Sequence, residues 1–148
     1  MQTYGFHFRY YRSNGSKIPV TKKYLFKDTE TLTKGDFLNL EVTGTVAEVD
    51  LFATGGDTGL IGVANQTLAG TDSTTWIEVI LDNSGDAVWA VTDANARAET
   101  TELDVSGTTG AQTVATDGDS DIIVMSNSTA TEPTLVRSHP RAYGLGIT

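Results

Sequence analysis

Apolar and polar side chains alternate with a period of two through the middle of this chain. Leu38, Leu40 and Val42 are separated by polar residues, and residues 47–51 repeat the pattern. A period of two places successive side chains on opposite faces of an extended strand, whereas an amphipathic helix needs a period near 3.6. The alternation therefore predicts strands with one buried face, and it leaves little of the chain for helix.

Several further short runs are apolar and are separated by turn-forming residues. They lie at residues 60–64, 77–81, 88–91, 103–105, 112–115 and 122–125. Residues 82–86, Asp-Asn-Ser-Gly-Asp, have the composition of a hairpin loop. The stretch with the best helix-forming character, residues 93–99, is short and is equally compatible with a loop. We predict an all-β chain that folds as a compact antiparallel β-sandwich, jelly roll or small β-barrel.

The charges are segregated along the sequence. The first 27 residues carry six basic side chains and no acid, whereas residues 28–136 carry all 19 acids and two bases. Residues 137–148 add two bases and no acid, which gives a net charge of −9. A folded core does not require such an arrangement. Basic ends on an acidic middle are typical of a soluble scaffold whose ends bind something else.

This segregation and the turn signals divide the chain into three parts. Residues 1–20 are predicted to form an extended N-terminal arm, and residues 21–130 the β body. Residues 131–148 are predicted to form a C-terminal tail, in which prolines and glycines exclude regular structure.

The predicted arm interleaves aromatic and basic residues. In an extended segment, Tyr4, Phe6, Phe8 and Tyr10 would share one side. Docking of this arm on another protein is the favoured interpretation, because tyrosine and arginine are frequent anchors of protein interfaces. The alternative is an arm that packs on its own body.

The sequence lacks the residue combinations that catalysis usually requires. Both histidines, His7 and His139, lie in the predicted arm and tail, and the chain has no cysteine. Most carboxylates fall at turns or on the outward side of strands, where they are expected to form a solvated acidic surface. We therefore expect neither an enzyme nor a cofactor.

One acidic cluster has the spacing of metal ligands. Asp117, Asp119 and Asp121 place carboxylates at alternate positions, as at the start of a calcium-binding loop. The sixth position of such a loop would be Ile122 instead of glycine, and the twelfth would be Ser128 instead of an acid. The three aspartates are a weak candidate metal site, and an acidic loop is the favoured interpretation.

Nucleic acid and membrane are not expected as partners. The aromatic and basic arm could stack on bases, but residues 28–136 carry 19 acids against two bases and would repel a polyanion. No stretch of the sequence approaches the roughly 20 apolar residues of a membrane-spanning helix.

Five stretches of the first 64 residues resemble the capsid decoration (cement) proteins of tailed phages. They are YGFHFR at 4–9, the turn at 14–15, the lysine-rich strand at 21–26, TKGDFLNL at 33–40 and GLIGVA at 59–64. The resemblance implies a non-enzymatic viral structural protein that stabilises an icosahedral head by bridging neighbouring major capsid proteins. It also implies a homo-oligomer, with a trimer favoured over a dimer. Such a protein would lie on the outer surface of the capsid of a virion assembled in the host cytoplasm.

Under this interpretation the basic ends contact the capsid and sister subunits. The residues expected to make these contacts are Tyr4, Phe6, Phe8, Arg9, Tyr10, Tyr11, Arg12, Arg137, His139 and Arg141. A second class of function stays open, a carbohydrate- or receptor-binding β-sandwich module of a virion. That module would use Trp76, Trp89 or Tyr143 as a stacking platform, although both tryptophans are expected in the core because each lies in an apolar run.

Overall fold

A computed structural model describes residues 4–27, 31–43, 45–52, 57–69, 75–116 and 120–143. The described residues form thirteen strands and no helix, and none of them belongs to a helix that could span a membrane. The strands are β1 (Phe6–Tyr11), β2 (Thr21–Phe26), β3 (Thr31–Leu32), β4 (Phe37–Thr43), β5 (Val46–Leu51), β6 (Leu60–Ala64), β7 (Leu68–Ala69), β8 (Trp76–Leu81), β9 (Ala87–Val91), β10 (Glu102–Ser106), β11 (Thr113–Thr116), β12 (Ile122–Val124) and β13 (Thr134–Ser138). The all-β prediction is confirmed.

The stretch at residues 93–99 forms a loop, so its helical interpretation is wrong. The Asp93 carboxylate accepts a hydrogen bond from the Asn95 backbone N–H at 3.2 Å and pairs with Arg97 at 2.5 Å. Arg97 also forms an isolated bridge with Ser128. Asp93 thus organises a turn through local side-chain bonds, which compete with helical hydrogen bonding.

Five strands close into a barrel in the order β2-β5-β4-β6-β8. Its neighbouring strands are antiparallel, apart from β2 and β5, which run parallel. The period-two alternation turns one set of side chains inward, and the barrel core includes Phe26, Leu38, Val49, Ile77 and Val79. Because alternate residues are buried, these strands lie where the period-two pattern predicts them.

Six other strands form an antiparallel sheet in the order β1-β9-β13-β12-β10-β11, and β3 and β7 form a small ribbon. A second core joins the inner face of the sheet to the outer wall of the barrel. Within it, Phe37 of the barrel stacks on Phe6 of β1, with ring centroids 4.0 Å apart, and meets Trp89 of β9 edge-on at 5.5 Å. The two layers are therefore fastened by an aromatic cluster.

A buried carboxylate holds the barrel to a loop of the sheet. Asp36 precedes β4 and is fully buried. Its carboxylate accepts hydrogen bonds from the Thr33 N–H at 2.8 Å, the Thr109 hydroxyl at 2.6 Å and the Gly110 N–H at 3.0 Å. Three donors offset much of the cost of burying the charged group.

The predicted division into arm, body and tail needs correction where the structure describes it. The N-terminal segment contributes β1, which pairs with β9 at one edge of the large sheet. The C-terminal segment was expected to lack regular structure, yet it forms β13 between β9 and β12. Both ends belong to the sheet because their apolar residues complete its core.

Candidate functional site

The aromatic residues of the N-terminal segment differ strongly in exposure. Phe6 and Tyr11 are buried, at 1% and 3% exposure, so neither is available to contact a partner. Tyr4 and Phe8 are half-buried, and Phe8 packs against the second core. The expected contact role is wrong for Phe6 and Tyr11, which instead hold β1 on its own body.

A β-bulge explains which side chains of β1 turn outward. Phe8 pairs with Trp89 and Tyr10 with Val88, so Arg9 is the extra residue on the β1 side. The insertion reverses the alternation after Phe8 and brings the ring of Tyr11 to 4.8 Å from that of Phe8. Tyr10 therefore does not share a face with Phe6 and Phe8 as predicted. It turns with Arg9 toward the outer face.

Tyr11 fixes the segment that links β1 to β2. Its hydroxyl donates to the Leu81 carbonyl at 2.9 Å and accepts from the Val20 N–H at 3.0 Å. Burial raises the pKa of Tyr11, so the phenol stays neutral and can donate. The entrance to β2 is thereby held against the end of β8.

Arg12 is exposed but already has a partner within the chain. Its Nη1 donates to the Gly85 carbonyl at 3.2 Å, and the neighbouring Ser13 donates through its N–H and its hydroxyl to the Asp86 carboxylate at 2.9 and 2.7 Å. These bonds tie the turn after β1 to the loop at residues 82–86. The composition of that loop correctly predicted a turn, but the expected hairpin is wrong, because the loop connects β8 of the barrel to β9 of the sheet and these two strands do not pair.

Asp82 was expected to be an exposed acid of a turn, but it is fully buried. Its carboxylate accepts hydrogen bonds from Trp89 Nε1 at 2.8 Å, the Gly85 N–H at 2.8 Å and the Ser138 hydroxyl at 2.7 Å. Burial raises the pKa of Asp82, while the three donors act in the opposite direction. One side chain thus links the loop at residues 82–86, β9 and β13. Only the Asp-x-x-Gly turn spacing could have pointed to it.

The basic residues of the C-terminal segment lie at the end of β13 and just after it. Val136 and Ser138 face the core, so Arg137 points to the outer face of the sheet, where it is half-buried. His139 Nε2 lies 3.2 Å from the Glu102 carboxylate, and its Nδ1 accepts the Arg141 N–H at 3.1 Å. Arg141 is exposed. His139 is thus engaged within the chain, whereas Arg137 and Arg141 are more accessible.

The structure brings the two ends of the chain together in one cleft of about 490 Å³. We call it the basic cleft, and its lining residues are Arg9, Tyr10, Lys17, Glu132, Pro133 and Leu135. Only β9 separates β1 from β13, so residues far apart in sequence meet on the outer face. Arg9 and Tyr10 were among the predicted contact residues, whereas Lys17, Pro133 and Leu135 were not.

The basic cleft has the chemistry of a protein-binding surface. Arg9 and Lys17 are exposed cations, against the single carboxylate of Glu132. Tyr10, Pro133 and Leu135 supply the apolar part. A partner's carboxylates could pair with the two cations, and its apolar side chains could pack on the apolar part. Aromatic residues and arginine are common anchors of protein interfaces.

The candidate calcium loop lies partly outside the described residues, which include Asp121 but neither Asp117 nor Asp119. Asp121 is buried, and its carboxylate accepts the Val105 N–H at 2.9 Å. Within the described part of the chain, no three His, Cys, Asp or Glu residues come together as metal ligands. Asp121 therefore has a structural role in joining β10 to the segment that precedes β12.

Asp50 is a second acid whose pKa is raised above that of an ordinary carboxylate. It lies on the outer wall of the barrel, opposite Asn39. Burial, followed by repulsion from Glu41, raises the pKa of Asp50 to about 6, although Lys27 Nζ lies 3.5 Å away and also contacts Glu41 at 2.9 Å. A raised pKa can mark a catalytic acid. Here the neighbours are another acid and a lysine that bridges both carboxylates, so burial of Asp50 in the barrel wall beside Glu41 is the simpler explanation.

We expect replacement of Asp50 by asparagine to change how stability depends on pH. An acid whose pKa is higher in the folded state binds its proton more tightly there, so its charge destabilises the fold above about pH 6 and not below about pH 4. The variant should resist denaturant better than the native chain at pH 8, and the advantage should shrink as the pH falls to 4. Urea titrations across this range measure it.

Glu99, which is exposed, offers a matched control. Its replacement by glutamine also removes one negative charge from the acidic chain, so it reports the general effect of net charge. Equal pH profiles for the Asp50→Asn and Glu99→Gln variants would contradict a specific effect at Asp50.

The two tryptophans occupy opposite environments. Trp89 is fully buried between the sheet and the barrel, where it meets Phe37, as expected. Trp76, which was also expected in the core, is 54% exposed, so that expectation is wrong. The reason is register: Ile77 and Val79 of β8 face the barrel core, so the alternation turns Trp76 outward. Tyr143 is half-buried, and its ring lies near Gly85.

Comparison with known proteins finds a likeness in fold. No family model matches this chain, and no curated protein sequence matches it. Among solved structures it is similar to the N base of the head fiber protein gp8.5 of bacteriophage phi29, with 11% sequence identity and a TM-score of 0.51. The match covers 82% of this chain and 97% of that chain. At this identity the comparison shows a shared β fold.

Proposed function

We propose that this chain is a non-enzymatic structural protein of a tailed-phage virion that decorates the outer surface of the head. In this role it bridges neighbouring major capsid proteins and so stabilises the icosahedral shell. The observation that carries the proposal is the fold likeness to the base of a phage head fiber, because it extends over 97% of that base. A fold alone does not define a function, so the site must supply the rest of the argument.

The basic cleft supports the proposal by its position and chemistry. Both charged ends of the chain contribute to the outer face of one sheet, and the cations and apolar groups there suit a protein surface. Arg137 extends the positive charge along β13, and Arg141 adds a further exposed cation three residues after the strand ends. A cleft built on paired strands is preorganised, so binding would not require the ordering of a free arm.

Oligomerisation belongs to the same proposal. A homo-oligomer, with a trimer favoured and a dimer possible, would present several basic clefts to a shell of identical subunits. Several modest contacts then act together and give a much higher affinity than any one of them. Sedimentation equilibrium of the purified chain measures this state directly, and a monomer at all concentrations would contradict this part of the proposal.

Reversal of charge in the basic cleft tests the capsid contact. We expect the Arg9→Glu/Lys17→Glu variant to bind heads with a Kd about tenfold or more above that of the native chain, since like charges across an interface oppose binding. Co-sedimentation with heads assembled from the major capsid protein of the same phage, stripped of this chain, gives the measurement. Both side chains are exposed, so the fold should be unaffected.

The charge-conserving variant Arg9→Lys/Lys17→Arg is the matched control and should bind heads nearly as the native chain does. Circular dichroism confirms that both variants are folded. If the charge reversal leaves head binding unchanged, the basic cleft is not the contact; if the native chain does not bind heads at all, the proposed function fails.

The alternative, a carbohydrate- or receptor-binding module, is favoured by the exposed ring of Trp76. Trp89 is excluded as a platform by its burial. Trp76 lies beside Lys22, Lys23 and Val46, a set with few of the polar acceptors that orient a sugar. Glycan-array binding that is lost in a folded Trp76→Ala variant would favour this alternative.

A further inference from the structure

The barrel is incompletely paired where β2 runs beside β5. β2 pairs with β8 over five residues, from Thr21 to Leu25, but its described ladder with β5 comprises only Leu25 with Glu48 and Phe26 with Val49. The first four residues of β2 therefore extend beyond the β5 ladder. A groove of about 400 Å³ lies at this position, and its lining residues are Lys22, Lys23, Tyr24, Leu25, Thr45, Val46, Ala47 and Trp76. We call it the β2–β5 groove.

The hydrogen-bonding direction of β2 shows which backbone groups face the groove. Phe26 donates its N–H to Thr75, and Leu81 donates to the carbonyl of Val20, so the even-numbered residues of β2 bond toward β8. Lys27 donates its N–H to Val49, so the odd-numbered residues bond toward β5. By this alternation the N–H and C=O of Lys23 point into the groove, beyond the end of the β2–β5 ladder. A strand edge whose backbone N–H and C=O groups face a groove in this way can pair with an added strand.

Both faces of an added strand would meet apolar surface. On the outer side, Trp76 is 54% exposed and Val46 is 39% exposed, next to half-buried Leu25. Leu25 and Trp76 are cross-strand partners, so their side chains form one patch. On the inner side, Tyr24 is half-buried and Ala47 is exposed. Exposed apolar groups on both sides of an open edge distinguish this groove from an ordinary barrel rim.

The charge of the groove selects the class of partner. Lys22 and Lys23 are exposed on its β2 side, and Lys22 Nζ lies 5.2 Å from the ring centre of Tyr24. Glu48 lies at the closed end, beside Leu25. Glu78 is the cross-strand partner of Lys23, whereas Lys22 lies opposite apolar Val79. Two adjacent cations on this strand are complementary to an acidic partner strand and unfavourable for a basic one.

We propose that the β2–β5 groove binds an extended acidic segment of a partner protein by β-strand addition. The partner strand would bond to the backbone of Lys23, place apolar side chains on Trp76 and Tyr24, and set its carboxylates near Lys22 and Lys23. The groove shares no lining residue with the basic cleft. The inference therefore goes beyond the proposed function, and the two can be tested independently.

Tryptophan fluorescence tests this inference with the native chain. The chain has two tryptophans, of which Trp89 is already buried, so a change in emission on binding reports Trp76. The probe is a capped seven-residue peptide of alternating glutamate and valine, titrated to 1 mM at low salt. We expect a saturable blue shift that weakens as salt is added, because the ion pairs are exposed and screened.

Variants and a second peptide make the result specific. The Lys22→Glu/Lys23→Glu variant should bind the acidic peptide with a Kd at least about tenfold higher, and Lys22→Arg/Lys23→Arg should bind as the native chain does. A peptide of alternating lysine and valine should give no shift.

Three results would overturn the proposal. One is the absence of a saturable shift with the acidic peptide, and another is an equal shift with the basic peptide. The third is a shift produced by raising the protein concentration alone, which would assign the groove to a second copy of the chain. The Trp76→Ala variant lacks the fluorescent reporter, so its affinity for the acidic peptide is measured by calorimetry. We expect this affinity to be lower than that of the native chain.

Discussion

Replacement of Asp82 by alanine is expected to lower the free energy of unfolding by about 3–5 kcal/mol, because three buried donors then lose their acceptor. The donors are Trp89 Nε1, the Gly85 N–H and the Ser138 hydroxyl, each within 2.8 Å of the carboxylate. Asp82 and Ser138 are fully buried, so water cannot replace the lost bonds without opening the core. Urea unfolding followed by circular dichroism gives the measurement.

Two further variants show whether this loss belongs to the network. Asp82→Asn keeps one oxygen acceptor, but its NH2 group would face one of the hydrogen-bond donors. We therefore expect a loss of unfolding free energy between those of the native chain and the alanine variant. Asp86 lies in the same loop and is half-buried, with Ser13 as its partner. Asp86→Ala should cost about 1 kcal/mol, the value of an ordinary hydrogen bond. Equal losses for Asp82→Ala and Asp86→Ala would show that the buried network does not fix the loop.

The strands of the body were predictable because their alternation has a local cause. In β5, for example, Val49 lies in the barrel core and Val46 on the other face is exposed. A period of two indicates this difference without knowledge of the partner strand. The pairing of strands was not predictable. The parallel contact of β2 with β5, which closes the barrel, depends on residues far apart in sequence and leaves no local pattern.

The N-terminal strand shows how a single local irregularity changes a predicted site. An unbroken strand would place Tyr10 with Phe6 and Phe8, as the sequence analysis expected. The bulge at Arg9 brings Tyr11 into the core instead, where Leu81 and Val20 satisfy its hydroxyl. Bulges arise from the match between two strands, so the sequence of one strand cannot locate them. The outward position of Arg9 and Tyr10, and hence the basic cleft, follows from this irregularity.

Buried acids were the other feature that sequence reasoning missed. Asp36 and Asp82 are surrounded by polar and glycine residues that are typical of exposed turns. Each is buried because it collects three hydrogen bonds, several from segments that are distant in sequence. An acidic composition therefore wrongly indicated a solvated surface for these two acids, as it did for Asp93, Asp104 and Asp121, which are also buried. The donors that satisfy such carboxylates are brought together only when the chain folds.

Replacement of Phe6 by alanine is expected to lower the free energy of unfolding by about 3–5 kcal/mol, the usual cost of removing a buried phenylalanine. Phe6 is 1% exposed and stacks on Phe37 at the junction of the sheet and the barrel. Domains of this size are commonly stable by about 5–15 kcal/mol, so the loss is a large fraction of the total stability and should lower the melting temperature markedly. Thermal and urea unfolding measure the loss.

Arg9, three residues later on the same strand, is the matched control. It is exposed, and its replacement by alanine should change stability by no more than about 0.5 kcal/mol. Truncation of the first 16 residues would remove β1 entirely, so a loss of head binding could result either from unfolding or from the loss of a contact. The two substitutions distinguish these causes, because Phe6 is a core residue and Arg9 is a surface residue. If Phe6→Ala proved as stable as Arg9→Ala, β1 would be a detachable arm after all, and the basic cleft would lose the strand on which it is built.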